Sequence, residues 1–177
     1  MKLKAFILTL LVAVILLSSC AAKKDTDIPD GMQLLSNKYV DYTAYVPEEW
    51  KVNEPTATPY AYVGTQDASS VNIVAQSYTN EQAEAGLEGY WKSYSKDFKK
   101  SLSDFDCQSK PTEILLDGVA ANQSVYTATL SGIEYKYQQT ICMHEGYVYI
   151  ITYTSTPELY DEHTDEVKKI IKTFKFD

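Results

Sequence analysis

The sequence predicts an α+β domain in which one antiparallel β-sheet of about six to eight strands is sandwiched by helices. Three dipeptides that end in glycine fall fourteen residues apart, each between stretches rich in β-forming residues. This spacing is typical of a meander of hairpins with two-residue turns. Two other segments carry apolar residues at helical spacing. Because strands and helices occupy separate stretches of chain, an α+β fold is favoured over an alternating βαβ fold.

The first nineteen residues have the layout of a secretory signal peptide. Lys2 and Lys4 form a positive start, and an apolar run follows from Ala5 to Leu17. At about 1.5 Å per residue this run gives a helix of roughly 20 Å, which is shorter than the ~30 Å hydrocarbon core of a bilayer. A permanent transmembrane helix is therefore not expected.

The signal peptide ends in the motif Leu-Ser-Ser-Cys, with its cysteine at position 20. This motif resembles the lipobox of bacterial lipoproteins, and the resemblance implies cleavage before Cys20 and lipidation of its sulfur, which gives stable anchoring when two acyl chains are present. The alternative is an ordinary signal peptide with a chance cysteine at the cleavage site. We expect an exported protein that is lipid-anchored to the outer face of the bacterial cell membrane.

Residues 20–36 are polar and rich in turn-forming residues, and we interpret them as the lipidated cysteine followed by a flexible spacer. About 16 flexible residues have a root-mean-square reach of roughly 20 to 25 Å. The folded domain is then predicted to span residues 37–177, close to the membrane.

The charge of the chain excludes one class of partner. There are 16 basic and 24 acidic residues, and every basic residue is lysine. Removal of Lys2 and Lys4 with the signal peptide leaves 14 against 24, a net charge of −10. Nucleic acid requires a basic surface, and phosphate recognition favours arginine, so we expect no nucleic-acid partner. Anionic lipid headgroups would also repel this domain, so its membrane contact should be made through the lipid.

The first half of the domain is predicted to contain three strands and a long helix. The strands cover residues 39–46, 60–63 and 71–78. A capping-box pattern from Thr79 to Gln82 then marks the start of the helix. Its apolar stripe consists of Ala83, Leu87, Trp91, Tyr94, Phe98, Leu102 and Phe105.

The second half is predicted to be a four-stranded meander with a closing helix. Turns at Asp117-Gly118, Ser131-Gly132 and Glu145-Gly146 divide the strands. These strands are expected to cover residues 108–116, 119–130, 133–144 and 147–155. Thr156 and Pro157 then indicate the N-cap and first residue of a last helix. Its apolar stripe consists of Tyr160, Val167, Ile170, Ile171 and Phe174.

Four segments of the chain resemble PsbP-like domains. They are the strand that ends in Tyr-Val-Pro-Glu-Glu-Trp at Trp50, the hairpin at 116–120, the strand at 147–153 and the helix end at 170–174. The resemblance extends from about residue 37 onward and implies the PsbP/Mog1 fold. It also implies an accessory role, because plant members support photosystem II and Mog1 binds a small GTPase. The matching positions serve packing and turns, so neither partner's binding site is carried over.

Fifteen tyrosines suggest a carbohydrate-binding or other ligand-binding surface, because tyrosine combines a flat apolar ring with a polar tip. The candidate ligand face consists of Trp50, Tyr135, Tyr137, Tyr149 and Tyr153. The alternative is that these aromatic residues favour strands and fill the core beneath a helix.

The sequence indicates no catalytic site. Cys107 and Cys142 could form a disulfide outside the cytosol or remain separate thiols. Cys142 and His144 would share a strand face, but no third group is in place to orient them as a nucleophile and base.

The acidic segment 161–166 offers potential metal ligands, with Asp161 and Asp165 on one helix face and His163 between them. Acidic residues are, however, expected in the first turns of any helix because they interact favourably with its dipole. We therefore predict neither a metal ion nor a cofactor.

Together these observations predict a non-enzymatic accessory or interaction module of the cell envelope, acting on an envelope protein partner. The alternative function is a lipoprotein that binds carbohydrate or another small ligand through its tyrosine-rich sheet face.

Overall fold

The computed structural model describes residues 28–35, 42–53, 58–107 and 109–177. The predicted signal peptide, Cys20 and most of the spacer lie outside these ranges. Among the described residues, no helix is both long enough and apolar enough to cross a membrane.

The described residues form eleven strands and two α-helices, of which eight strands belong to the predicted large sheet and three to a second, small sheet. In chain order they are β1 (Met32–Leu35), β2 (Tyr42–Pro47), β3 (Lys51–Asn53), β4 (Tyr60–Tyr62), β5 (Ser70–Ser77), α1 (Asn80–Ser101), β6 (Ser103–Asp106), β7 (Thr112–Leu116), β8 (Val119–Leu130), β9 (Ile133–His144), β10 (Tyr147–Ser155), α2 (Thr164–Thr173) and β11 (Lys175–Phe176).

These elements pack in three layers around a central antiparallel sheet. The large sheet has the order β3-β4-β5-β10-β9-β8-β6, and β7 also pairs with β8. Helix α1 covers one face, which we call the α1 face. Helix α2 covers the other, the α2 face, together with a small sheet of order β1-β2-β11. The predicted α+β sandwich is confirmed.

The three predicted hairpin turns of the meander are confirmed. In each turn both residues have a positive φ, from 44° at Glu145 to 89° at Gly146. Two consecutive positive φ values match the type I′ turn, whose twist suits the flanking strands. Strands β8, β9 and β10 have the predicted bounds, whereas β7 begins at Thr112 rather than at residue 108.

Helix α1 begins as predicted but ends earlier. The Thr79 hydroxyl accepts from the Gln82 backbone amide, and the Gln82 side chain accepts from the Thr79 backbone amide, so the capping box is complete. The helix ends at Ser101, and Phe105 lies on β6 instead. Its ring still packs in the hydrophobic core between α1 and the sheet, which we call the α1 core. It reaches this core because β6 pairs with β8 beneath the end of the helix.

The closing helix begins later than predicted. Residues 157–159 form turns, and a 3₁₀ helix (Tyr160–His163) precedes α2. The Leu159 amide donates to the Thr156 carbonyl and the Glu162 amide to the Leu159 carbonyl, both across three residues. The Tyr160 carbonyl accepts from the buried Tyr153 hydroxyl at 2.9 Å. The prediction of Thr156 as N-cap was wrong, because these tighter turns pack Tyr160 against the sheet first.

The predicted end of the spacer at residue 36 was wrong, because strand β1 lies within that segment. Residues 32–35, assigned to the spacer, pair with residues 44–47 of β2. Met32 and Leu35 are buried in the hydrophobic core on the α2 face, which we call the α2 core. The Gln33 side-chain amide donates to the carbonyls of Pro47, Glu48 and Trp50 and so fixes β1 against the following turn. The folded domain therefore includes β1, which lies before the predicted boundary at residue 37.

We expect Leu35→Ala to lower the free energy of unfolding by about 2–5 kcal/mol, because Leu35 has 0% exposure and its loss leaves a cavity. The neighbouring Leu34, which is 36% exposed, supplies the matched control, and Leu34→Ala should change stability by no more than about 0.5 kcal/mol. Urea unfolding of both variants measures the difference. Equal small effects would show that β1 is not part of the cooperative domain.

Candidate functional site

The predicted ligand face is divided between the two sides of the sheet. Tyr149 and Tyr153 of β10 lie directly opposite Cys142 and Gln138 of β9. Directly opposite residues project to the same face, so both tyrosines point to the α2 face. Tyr135 and Tyr137 occupy the alternate positions of β9 and point to the α1 face. Four of the five candidate residues therefore cannot form one surface.

The low exposure of several of these residues also contradicts the predicted ligand face. Trp50, Tyr149 and Tyr153 are 2%, 4% and 0% exposed and belong to the α2 core. Tyr137 is half-buried and stacks on Tyr126, with ring centroids 4.9 Å apart. Trp50, Tyr149 and Tyr153 therefore fill the α2 core, while Tyr135 and Tyr137 are half-buried on the other face, so the five candidate residues do not form one exposed ligand face.

The two cysteines are free thiols on opposite sides of the sheet. Cys142 lies in the α2 core and donates to the Ala120 carbonyl, whereas Cys107 packs against the α1 core. The sheet separates them, so the disulfide considered from the sequence does not form. Burial raises the pKa of the Cys142 thiol to about 11 and also raises the pKa of the Cys107 thiol. Neither thiol has the lowered pKa of a catalytic nucleophile.

A cluster of charged side chains joins the loop after β4 to the start of α2. The His163 ring bonds through Nε2 to the Asp67 Oδ2 atom at 2.7 Å and through Nδ1 to the Glu166 Oε2 atom at 2.5 Å. The Ser69 backbone amide donates to the other Asp67 oxygen at 2.8 Å and orients that carboxylate. Asp67, Glu162 and His163 also offer ligand atoms within 4.8 Å of one another. We call Asp67, Glu162, His163 and Glu166 the His163 cluster.

The electrostatics of the His163 cluster favour a charged imidazole. Burial opposes the charge, but hydrogen bonds and charge interactions with Glu166 and Asp67 outweigh it and raise the pKa of His163 above 6.5. For Asp67, burial likewise opposes ionisation, but hydrogen bonds from Ser69 and His163 lower its pKa below 3.8. Both ring nitrogens therefore act as donors to carboxylates.

Sequence reasoning identified His163 but missed its partners. Asp67 is 96 residues away in sequence, in a loop with no distinctive motif. Glu166 follows at the helical spacing of three residues, which is a signal that the sequence does contain. Asp161 and Asp165 instead lie near Lys136 and Lys168, so the helix-face pairing considered from the sequence does not form the site.

An open groove runs between α1 and β7 on the α1 face, and we call it the α1–β7 groove. Its two adjoining sections enclose about 450 and 540 Å³. Leu115 lies at one end and is 68% exposed, the highest exposure among the large hydrophobic side chains that the structure describes. Trp91 and Phe105 line the other section.

Charged side chains line the second section of the groove, namely three lysines and two glutamates, Glu88 and Glu113. Lys92, Lys99 and Lys110 line it, and within the described ranges none of the three forms an ion pair. Strand β7 borders the groove and, in the part of the chain described, pairs with β8 alone. Within the described ranges its other edge has no strand partner, so it can accept a further strand.

Comparison with solved structures finds similar folds at low sequence identity. A Pseudomonas aeruginosa protein of unknown function, described as a putative regulator, has a TM-score of 0.59 and 20% identity over 80% of this chain and 94% of that one. Cyanobacterial PsbP from Synechocystis has a TM-score of 0.60 and 11% identity over 91% and 99% of the two chains.

LpqN, involved in cell envelope biogenesis of Mycobacterium tuberculosis, has a TM-score of 0.56 and 11% identity over 81% of this chain and 89% of its own. A scan against protein-family models finds no match. A search of the curated proteins also finds none. The likeness to solved structures confirms the PsbP-like fold that the sequence segments predicted. It shows the fold and carries no activity with it.

The His163 cluster predicts a specific dependence of stability on pH. Because folding raises the pKa of His163, its contribution is fully present below about pH 6.5 and is lost as the pH rises through the higher folded-state pKa. We expect a loss on the order of 1 kcal/mol, since the side chain is largely buried between two carboxylates. Urea unfolding between about pH 5 and pH 9, with a chelator present, measures it.

His163→Gln is the reference variant for this measurement, and its free energy of unfolding should not show this decrease at alkaline pH. His144→Gln, which replaces the other histidine, should leave it in place. An alkaline loss of equal size in wild type and His163→Gln would contradict the assignment.

The two thiols should differ in their rates of alkylation in the folded protein. Cys142 has 0% exposure and a pKa of about 11, so iodoacetamide should modify it only after unfolding. Cys107 is half-buried and should react first, although more slowly than an unhindered cysteine because its pKa is raised. Peptide mass spectrometry after timed labelling reads both sites. A Cys107–Cys142 disulfide in unreduced protein would contradict the structure.

Proposed function

We propose that this protein is an extracytoplasmic lipoprotein, anchored through Cys20, that acts as a non-enzymatic accessory module of the cell envelope. The observation that carries the proposal is the Leu-Ser-Ser-Cys motif at the end of a signal-peptide pattern. It resembles a lipobox and gives the domain a place of action, on the outer face of the cell membrane. The domain then meets its partner close to that surface.

The arrangement of reactive groups supports a non-enzymatic role. The Cys142 thiol is buried, and the His144 ring packs on Phe176 with centroids 4.3 Å apart. His163 has both ring nitrogens bonded to carboxylates, so neither is free to accept a proton from a substrate. A nucleophile needs an adjacent base with a free nitrogen or oxygen, and His163 does not provide one.

The α1–β7 groove supports contact with a protein partner. An open strand edge offers backbone donors and acceptors to an extended segment, and an adjoining groove accepts its side chains. Leu115 supplies apolar surface, and the excess of three lysines over two glutamates in the second section favours an acidic residue in that segment. LpqN, which has a similar fold, is described as involved in cell envelope biogenesis, and this supports an envelope role for the fold.

Replacement of Cys20 by alanine tests the anchor. Wild-type protein should incorporate radiolabelled palmitate and sediment with membranes, whereas Cys20→Ala should lose the label because the acceptor sulfur is absent. Cys107→Ser is the matched control and should retain label and location. An unlabelled wild-type protein recovered without membranes would support the ordinary signal peptide instead.

A second experiment tests the interaction role. After mild crosslinking in cells and detergent solubilisation, a wild-type adduct with an envelope protein is expected. Leu115→Lys should reduce the yield of the adduct at least about threefold, because a charge replaces the apolar contact. Leu130→Lys changes a similarly exposed leucine at the β8–β9 hairpin tip and should leave the adduct intact. Recovery of the wild-type lipoprotein alone would count against the proposal.

A further inference from the structure

We propose that Asp67, Glu162 and His163 form a binding site for a divalent transition-metal ion, with Zn²⁺ the best match. Their ligand atoms already lie within 4.8 Å of one another. One imidazole nitrogen and two carboxylate oxygens are donors that Zn²⁺ accepts, and a water molecule would complete a tetrahedral set. The sequence led us to expect no metal ion, because acidic residues are common in the first turns of a helix.

The ligands are held in position by further contacts. Glu166 binds Nδ1 of His163, so the ring turns Nε2 toward Asp67. A carboxylate on the far nitrogen is the usual way in which proteins orient a metal-binding histidine. The Ser69 amide holds Oδ1 of Asp67 and leaves Oδ2 directed at His163. Two of the three proposed ligands therefore need little rearrangement.

The distances are compatible with metal binding after a small movement. Zinc bonds of about 2.0–2.2 Å at a tetrahedral angle place two ligand atoms roughly 3.3 Å apart. The Nε2 atom of His163 and the Oδ2 atom of Asp67 are 2.7 Å apart, so they must separate by roughly 0.6 Å. Glu162 is exposed and can swing toward the same point.

The charge of the site favours a cation. Asp67, Glu162 and Glu166 bring three carboxylates around one imidazole, and among the described residues no lysine forms an ion pair with them. Even a protonated His163 leaves an excess of two negative charges. A divalent ion that takes the place of the proton between Nε2 and Asp67 would reduce this excess to one negative charge.

A separate observation comes from Trp50, which packs beside the site. Its ring meets the His163 ring at 89°, with centroids 5.7 Å apart. Trp50 is 2% exposed, and its Nε1 hydrogen has no acceptor among the described residues. Buried polar groups of this kind usually have a partner, often ordered water. A water molecule held by the metal ion would bring an acceptor to this part of the core.

The test is a Zn²⁺ titration of the full-length lipoprotein in detergent after chelator treatment, followed by calorimetry. One ion per chain is expected. Glu162→Gln should weaken binding at least 10-fold, and Glu166→Gln by about 10- to 100-fold, because the first removes a ligand and the second releases the ring. Glu158→Gln changes an exposed glutamate a few residues upstream and should leave the affinity unchanged.

His163→Gln should abolish the one-to-one binding. Because that variant also loses the contact with Asp67, a second measurement on wild type is included: Zn²⁺ should shift the ¹⁵N resonance of Nε2 in His163 and leave that of His144 in place. Binding that is unaffected by Glu162→Gln and His163→Gln would overturn the proposal. So would several weak ions per chain with no shift at His163, because that result indicates the acidic surface alone.

Discussion

Each two-residue turn of the meander dictates which side chains of the next strand face which helix. A turn at 145–146 requires residue 144 to pair with 147, so even positions of β9 oppose odd positions of β10. The turn at 131–132 imposes the same exchange between β8 and β9. A one-residue slip would move every buried side chain of a strand to the opposite face, so the pairing register and the two cores depend on each other. Both helices pack on surfaces that these turns define.

This constraint explains why the strands were predictable from the sequence and the ligand face was not. Type I′ turns and β-forming stretches gave the bounds of β8, β9 and β10. The grouping of Tyr135 and Tyr137 with Tyr149 and Tyr153 ignored the exchange of odd and even positions across the turn. The turn positions were sufficient to predict the face of each tyrosine, because they place Tyr149 opposite Cys142. The burial of these tyrosines follows from their positions, because each face of the sheet is covered by its own helix.

Other features depend on contacts that no local pattern encodes. Strands β1 and β11 are four and two residues long, too short for a period to be recognised, and both exist because β2 lies between them. The late start of α2 depends on the Tyr153 hydroxyl, which binds the Tyr160 carbonyl. His163 was visible in the sequence as one residue in an acidic run. Its role in the structure comes from Asp67, which only the folded sheet brings near.

Strand β11 joins parts of the domain that are far apart in the sequence. Lys175 and Phe176 pair with β2, and Asp117 binds both the Lys175 amine and the Phe176 amide. Phe174 and Phe176 pack on Tyr149, so the segment after α2 fills the α2 core between β2 and β10. Contacts between segments this far apart in sequence form slowly, because a long loop must close before they contribute to stability. The α2 core is therefore expected to form after the local hairpins of the meander.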